Sequence, residues 1–308
     1  MARKHKGVPI HGWVIIDKPE GMTSTQVVGA VRRITNAAKV GHGGTLDPMA
    51  SGLLPIALGE ATKTVNYAMD GAKSYEFTVK WGEETDSADA EGEITGTNDA
   101  RPDQQAVLTA IPRFIGRIEQ TPPIFSAVKI NGQRAYDLAR KGEAVEVKSR
   151  TVRIDRFELV NIIDTDHADF IVDCGKGTYV RSLGRDLAKA LGTCGHLCRL
   201  RRTKVGSFDL KMAISLDKLD ALVNSAPAET WLRPVATVLD DIPALALTPD
   251  EARAMRQGQA VSLLQAANRL PELDKIQGST LVAFSKGTPI ALARIERGKI
   301  QPVRVLNL

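Results

Sequence analysis

The chain has 308 residues, 43% of them hydrophobic, and 41 Lys and Arg against 36 Asp and Glu give it a net charge of +5. This length suggests one large domain plus a small one, and no stretch approaches the roughly 18 apolar residues of a membrane span. The mild positive excess suits a polyanionic partner without defining one. The opening Met1-Ala2-Arg3-Lys4-His5-Lys6 is basic, but no apolar run follows it as in a secretory signal, so a cytoplasmic protein is expected.

In chain order, residues 13–17 read as a buried strand ending at a Lys18-Pro19 turn. Thr23 or Ser24 then caps a helix with Val27, Val28, Val31 and Ile34 on its apolar side. A glycine-rich loop and a short helix follow, and Tyr75 to Trp81 alternates as a strand. Residues 83–93 are acidic and small, with no calcium-loop spacing, and read as a solvated hairpin tip near the rim of a site. Residues 103–117 form an amphipathic helix. Pro122-Pro123 leads into a strand over 124–130, closed by Asn131-Gly132, and a helix over 135–141 stops at Gly142.

Residues 157–164 and 169–174 alternate like paired strands, and Tyr179 to Leu191 is helical up to Gly192. Such a mixture with hairpin-like links predicts an α+β core on a mixed, antiparallel-rich sheet. A boundary falls near 245, dividing the chain into 1–244 and 245–308. Beyond it, Thr248-Pro249-Asp250-Glu251 is a full capping box whose helix ends at Gly258. Residues 281–284, 289–295 and 301–306 complete a small β-rich unit.

Basic residues cluster at Arg199, Arg201, Arg202 and Lys204, and again at Lys148, Arg150 and Arg153. The second group reads as a solvated charged face, while the clustering of the first leaves open either such a face or phosphate contact. Cys194, His196 and Cys198 lie close together but supply three ligands where structural zinc normally takes four, and no metal is expected.

The most informative segment is Gly41-His42-Gly43-Gly44-Thr45-Leu46-Asp47-Pro48-Met49-Ala50-Ser51-Gly52. Its glycines can take positive φ and admit another backbone, and Pro48 biases Asp47 toward an extended conformation. The segment alone leaves two readings open. Asp47 could be the plain N-cap of a helix over 49–58 with Pro48 in its first position, or a catalytic carboxylate facing a bulky ligand.

This segment resembles the signature of the tRNA pseudouridine-55 synthases, the TruB family. Four further blocks carry the resemblance in the same order. They are Trp13-Val14-Ile15-Ile16-Asp17-Lys18-Pro19-Glu20-Gly21-Met22-Thr23-Ser24, Lys73-Ser74-Tyr75-Glu76, Gly177-Thr178-Tyr179-Val180-Arg181-Ser182-Leu183 and Leu200-Arg201-Arg202-Thr203. The resemblance implies a pseudouridine synthase catalytic domain over 1–244 and a PUA-like RNA-binding domain over 245–308.

It also implies the reaction. The N1–C1′ bond of uridine-55 in the TΨC loop of tRNA breaks, the uracil turns while bound, and C5 joins C1′. No redox step occurs, so no cofactor is expected. Asp47 matches the family's catalytic aspartate and Arg181 the arginine that pairs with it, a rigid cationic fork for a carboxylate. Tyr75 matches the tyrosine that stacks on the uracil, with its hydroxyl in proton removal, and Leu200 the apolar wall opposite. His42 matches the histidine that fills the space of the flipped base. Lys18 supports the pocket, Tyr179 bonds base or sugar, and Arg201 and Arg202 contact the RNA. Taken by position alone, Tyr75 and Leu200 would be core and Arg181 an ordinary exposed helix residue.

The expected partner is the T-arm of tRNA, met by a monomer without guide RNA. The rival readings are a guide-RNA-dependent synthase of the dyskerin type, a non-catalytic RNA-binding or tRNA-folding protein, and a nucleoside hydrolase.

Overall fold

The computed structural model describes residues 7–126, 129–130, 133–134, 147–270 and 278–308. The basic opening 1–6, the Asn131-Gly132 turn and the helix expected over 135–141 lie outside them.

Strand β1 (Gly12–Lys18) pairs antiparallel with β3 (Ser51–Leu58), which also carries the short β2 (Val40–His42). The apolar run of β1 has a simple cause, since both its faces are covered. Val14 and Ile16 enter the main core with Leu54 and Ile56, while Trp13 and Ile15 face a second core with Leu53, Ala57, Val205 and Phe208. The same two-sided burial explains β3. The helix considered over 49–58 is therefore a strand, because a continuous apolar run of this length fits a buried strand as well as a helix.

The remaining strands extend this sheet. They are β4 (Lys73–Trp81), β7 (Gly116–Gln120), β10 (Arg150–Ile162), β11 (His167–Cys174), β12 (Gly195–Val205) and β13 (Phe208–Asp209). Among the described residues the sheet has nine strands, with a main path of β1-β3-β12-β4-β11-β10-β7, and β2 and β13 attached to β3 and β12. Its pairings are antiparallel except where β3 meets β12. Between β4 and β7 lies a hairpin of β5 (Glu83–Thr85) with β6 (Ile94–Thr97), and a two-residue ladder joins β8 (Lys129–Ile130) to β9 (Gln133–Arg134). Residues 124–126 are bends, so the strand expected from 124 begins later and is shorter.

Helix α1 (Ser24–Thr35) starts as expected. The Gln26 amide donates to Thr23 Oγ1 at 3.1 Å, and the Thr23 amide to Gln26 Oε1 at 2.7 Å. The short α2 (Val65–Asp70) follows β3. The helix read over 103–117 is only α3 (Gln104–Ala110), capped by Asp103. Pro112 cannot extend the helical ladder, so residues 111–114 tighten into a 3₁₀ turn and 116 opens β7. Helix α4 (Val180–Ala190) buries Val180, Leu183 and Leu187 on the sheet and ends before Gly192.

A second sheet follows the α5 helix (Leu216–Ser225). Its strands run β14 (Ala244–Ala246), β16 (Thr280–Ser285), β17 (Thr288–Glu296), β18 (Lys299–Val305) and β15 (Val261–Ser262). Helix α6 (Pro249–Arg256) covers it, with the Thr248–Glu251 capping box formed in both directions. The two sheets are tied together: Leu306 enters the Trp13 cluster, and Lys63 Nζ donates to the Val305 carbonyl at 2.8 Å. No helix among the described residues is long and apolar enough to cross a membrane.

Candidate active site

Asp47 sits between β2 and β3 on a loop whose backbone is gripped from three directions. Arg202, only 1% exposed, donates to the carbonyls of Gly44 (3.1 Å), Thr45 (3.3 Å) and Leu53 (2.8 Å). The Ser24 hydroxyl accepts from the Leu46 amide at 2.9 Å and donates to the Leu46 carbonyl at 3.1 Å. Lys18 Nζ donates to the carbonyls of Pro48 (3.1 Å), Met22 (2.6 Å) and Pro19 (2.9 Å), lacing the Lys-Pro turn to the loop. Burial pushes the Lys18 ammonium down to about 8, against the pull of Asp47. The carbonyls of residues 44, 45, 46 and 48 are thus all fixed, and the Asp47 side chain is presented by a loop with little freedom.

Gly52 makes this arrangement possible. It pairs in parallel with Arg202 at φ +97°, and a Cβ there would collide with the Arg202 backbone. Of the three glycines before Asp47, only Gly44 uses positive φ (+115°). Gly43 instead lies under Pro55 and Trp13, where a Cβ would come within 3.3 Å of both.

The Asp47 side chain is 34% exposed, and its Oδ2 lies 2.9 Å from Arg181 Nε, an ion pair without the alignment of a hydrogen bond. Arg181 is only 4% exposed. Its Nη1 meets Asp89 Oδ2 at 3.1 Å and the Ser87 carbonyl at 2.7 Å, and its Nη2 donates to the Phe125 carbonyl at 2.9 Å. One guanidinium therefore faces two carboxylates. Asp89, 2% exposed, also accepts from the Ser87 hydroxyl at 2.5 Å and the Glu91 amide at 3.0 Å. The acidic hairpin tip is thus not simply solvated, since Thr85, Ser87 and Asp89 are buried and the last two meet Arg181. Burial, followed by the charges of Asp89 and Asp47, pushes the Glu91 carboxyl up.

A cavity of about 580 Å³ opens beside Asp47. Tyr75, Leu200, Tyr179, Arg181 and Arg202 line it with Asp47. Tyr75 and Arg202 are register partners on β4 and β12, and Leu200 is two residues before Arg202 on the same strand. Burial pushes the Tyr75 phenol up, with Arg202 opposing. Tyr179 sits at the start of α4, and the Arg150 guanidinium lies 4.9 Å above its ring. Arg150 is thus part of the wall rather than of a solvated face. An Asp70–Lys176 ion pair of 3.1 Å joins two lining residues.

Three expected residues lie elsewhere. Lys18 is behind the loop. His42, half-buried on β2, is not among the lining residues, and its buried Nδ1 has no partner among the described residues, while burial and Arg202 lower its basicity. Arg201 turns away to Asp17, with Nη2–Oδ2 at 2.8 Å and Nη1–Oδ1 at 3.1 Å. Arg202 departs from the phosphate-contact expectation because its guanidinium is buried and bonded to carbonyls. Among the described residues no cluster of three or more His, Cys, Asp or Glu side chains could hold a metal ion. Cys174 is buried, and His196 Nδ1 lies 3.0 Å from the Glu83 carbonyl.

Residues 32–180 match the family model of the TruB family pseudouridylate synthase N-terminal domain, and 181–242 that of the tRNA pseudouridylate synthase B C-terminal domain. The fold recurs in a chain of an H/ACA ribonucleoprotein bound to a substrate RNA containing 2′-deoxyuridine. There the TM-score is 0.74 and identity 21%, covering 100% of this chain and 92% of that one. The molecule is a pseudouridylate synthase with a β-rich C-terminal region. More narrowly, the chain belongs to the TruB family. It is 54% identical to the tRNA pseudouridine synthase B of Rhodospirillum rubrum, over 100% of both chains. It is 50% identical to that of Caulobacter vibrioides, also over 100% of both.

Proposed function

We propose that this protein converts uridine-55 in the TΨC loop of tRNA to pseudouridine, with Asp47 as the nucleophile. The observation that carries this reading is the Asp47 carboxylate, partly open to the cavity and held by buried Arg181 in the same wall. The names of the full-length relatives supply tRNA as the substrate.

The target base leaves its stack at a cost of a few kcal/mol, and His42 takes its place in the loop. Tyr75 and Leu200 hold the two faces of the uracil, and Tyr179 bonds base or sugar. Asp47 attacks the nucleoside, the N1–C1′ bond breaks, the uracil turns so that C5 joins C1′, and the bond to Asp47 breaks so that the carboxylate is released. The C5 proton then leaves and N1 gains one, so composition is unchanged. The Tyr75 hydroxyl takes part in that proton transfer, and its burial keeps the phenol neutral in the free protein. Lys18 and Arg202 act through the loop, and Arg201 contacts RNA from the neighbouring surface. Residues 1–244 form the catalytic domain, and 245–308 form a PUA-like RNA-binding domain. The chain works as a monomer, without guide RNA or cofactor.

The test is Asp47→Asn assayed on an unmodified tRNA transcript. Pseudouridine formation falls by about a thousandfold or more, as removal of a nucleophile does, while tRNA binding stays within a few-fold. Substantial residual turnover removes Asp47 from this role. Activity of the parent only with an added guide RNA favours a guide-dependent synthase, and release of free uracil favours a hydrolase.

A further inference from the structure

The cavity wall contains a polar group that the chemistry above leaves unused. Ser126 is 4% exposed, lines the cavity beside Asp47 and Arg181, and its buried hydroxyl has no hydrogen-bond partner among the described residues. A bare buried hydroxyl works against folding, and native structures contain few of them. Ser126 is also held in place. The Phe125 carbonyl before it accepts from Arg181, and its own amide donates to the Ile124 carbonyl at 2.9 Å. The guanidinium that orients Asp47 therefore anchors the backbone next to Ser126.

Other polar side chains of this wall are committed within the protein. Arg202 and Arg181 are bonded as described. Lys73 donates to the carbonyls of Met69 and Gly71, Thr151 to Glu119, and Thr178 to the Gly175 carbonyl. Arg150 Nε is also unpartnered, but it belongs to a cation bonded to the Gly177 carbonyl and stacked on Tyr179. A neutral ring with two carbonyls and an imide N–H is better matched by a hydroxyl, which both donates and accepts.

We propose that Ser126 contacts the substrate, its hydroxyl hydrogen-bonding the polar edge of the uracil. This rests on the reaction proposed above, in which Tyr75 and Leu200 occupy the ring faces and leave the edge to be satisfied. The contact matters most once the N1–C1′ bond is broken. The ring then has no covalent tether at N1, and a hydroxyl that rotates can follow a carbonyl as the ring turns. Ser126 forms no covalent bond and exchanges no proton.

The experiment compares Ser126→Ala with the parent on a tRNA transcript by single-turnover pseudouridine formation, tRNA binding and thermal unfolding. The single-turnover rate falls about tenfold or more, the size of a lost buried hydrogen bond. tRNA affinity stays within twofold, and the unfolding midpoint is unchanged or higher, because a bare hydroxyl has been removed. A rate within twofold of the parent overturns the inference. So does a lower midpoint, which makes Ser126 structural, or a loss confined to affinity, which makes it an ordinary RNA contact. A parent that makes no pseudouridine overturns the reaction itself, and this inference with it.

Discussion

The two sheets bury different things. The core of the second is apolar throughout, built from residues such as Leu245, Met255, Leu281, Ile290 and Ile300. Its strong ion pair, Arg269–Glu251 at 2.6 Å, stays partly open to solvent. Among the described residues every buried polar or charged side chain lies between Lys18 and Arg202, around the first sheet. Sheets of this kind therefore do not need internal charge to be stable, and a buried ion costs several kcal/mol unless it is paired. The first region keeps Lys18, Asp89, Arg181 and Arg202 inside because they fix a loop and a carboxylate. The second has no such task.

Substitutions can break this contrast or sharpen it. The largest effect is expected from Asp89→Ala, which leaves Arg181 buried with one carboxylate fewer. It should lose roughly 3–5 kcal/mol of stability in urea unfolding, together with activity. A loss below about 1 kcal/mol would mean that water reaches Arg181, and the contrast between the sheets would weaken. Next is Lys18→Met, which strips a charged donor from three carbonyls and should cost about 2 kcal/mol.

This variant also carries a pH signature. With the folded group lowered to about 8 from an unfolded 10.5, the unfolded chain binds more protons between those values. Parent stability should therefore rise from pH 8 toward 10.5 relative to the variant, and two parallel curves would refute the shift. In the second sheet, Thr248→Ala loses its side of the capping box and should cost about 1 kcal/mol. The smallest effect is an acid one. The hydrogen bond from Arg269 holds the Glu251 carboxyl at about 2. Its contribution is present above the unfolded value of 4.5 and is lost as pH falls through about 2, so Glu251→Gln should flatten that limb of the stability curve.

Legibility in the sequence followed the range of the forces involved. The caps at Thr23 and Thr248, the stop at Gly192, and strands β1, β4, β16 and β17 are set by neighbours along the chain and were readable there. The helix predicted over 103–117 is too long because Pro112 ends the helical ladder. The stretch 49–58 was ambiguous because burial on both faces erases periodicity.

For the site, the resemblance supplied Asp47, Tyr75, Arg181, Tyr179, Leu200 and Arg202, which the fold gathers around one cavity. Asp89 was missed because an acidic, small-residue hairpin looks solvated, and only Arg181, far along the chain, draws it inside. The burial of Arg202 has a signal in the sequence. Arg202 shares strand parity with Leu200, which places it inward, while Arg199 and Arg201 point elsewhere. Ser126 had no sequence signal, since its lack of a partner appears only in three dimensions.

The contact of Gly52 with Arg202 limits how this enzyme can be redesigned. Backbone meets backbone there, so the spacing of β3 and β12 at this point has no adjustable element, and no side chain introduced at 52 can change it gradually. The Asp70–Lys176 pair is formed by two flexible, solvated side chains. Remodelling for a bulkier base should begin at that pair, where a change in reach leaves the contact of Gly52 with Arg202 intact.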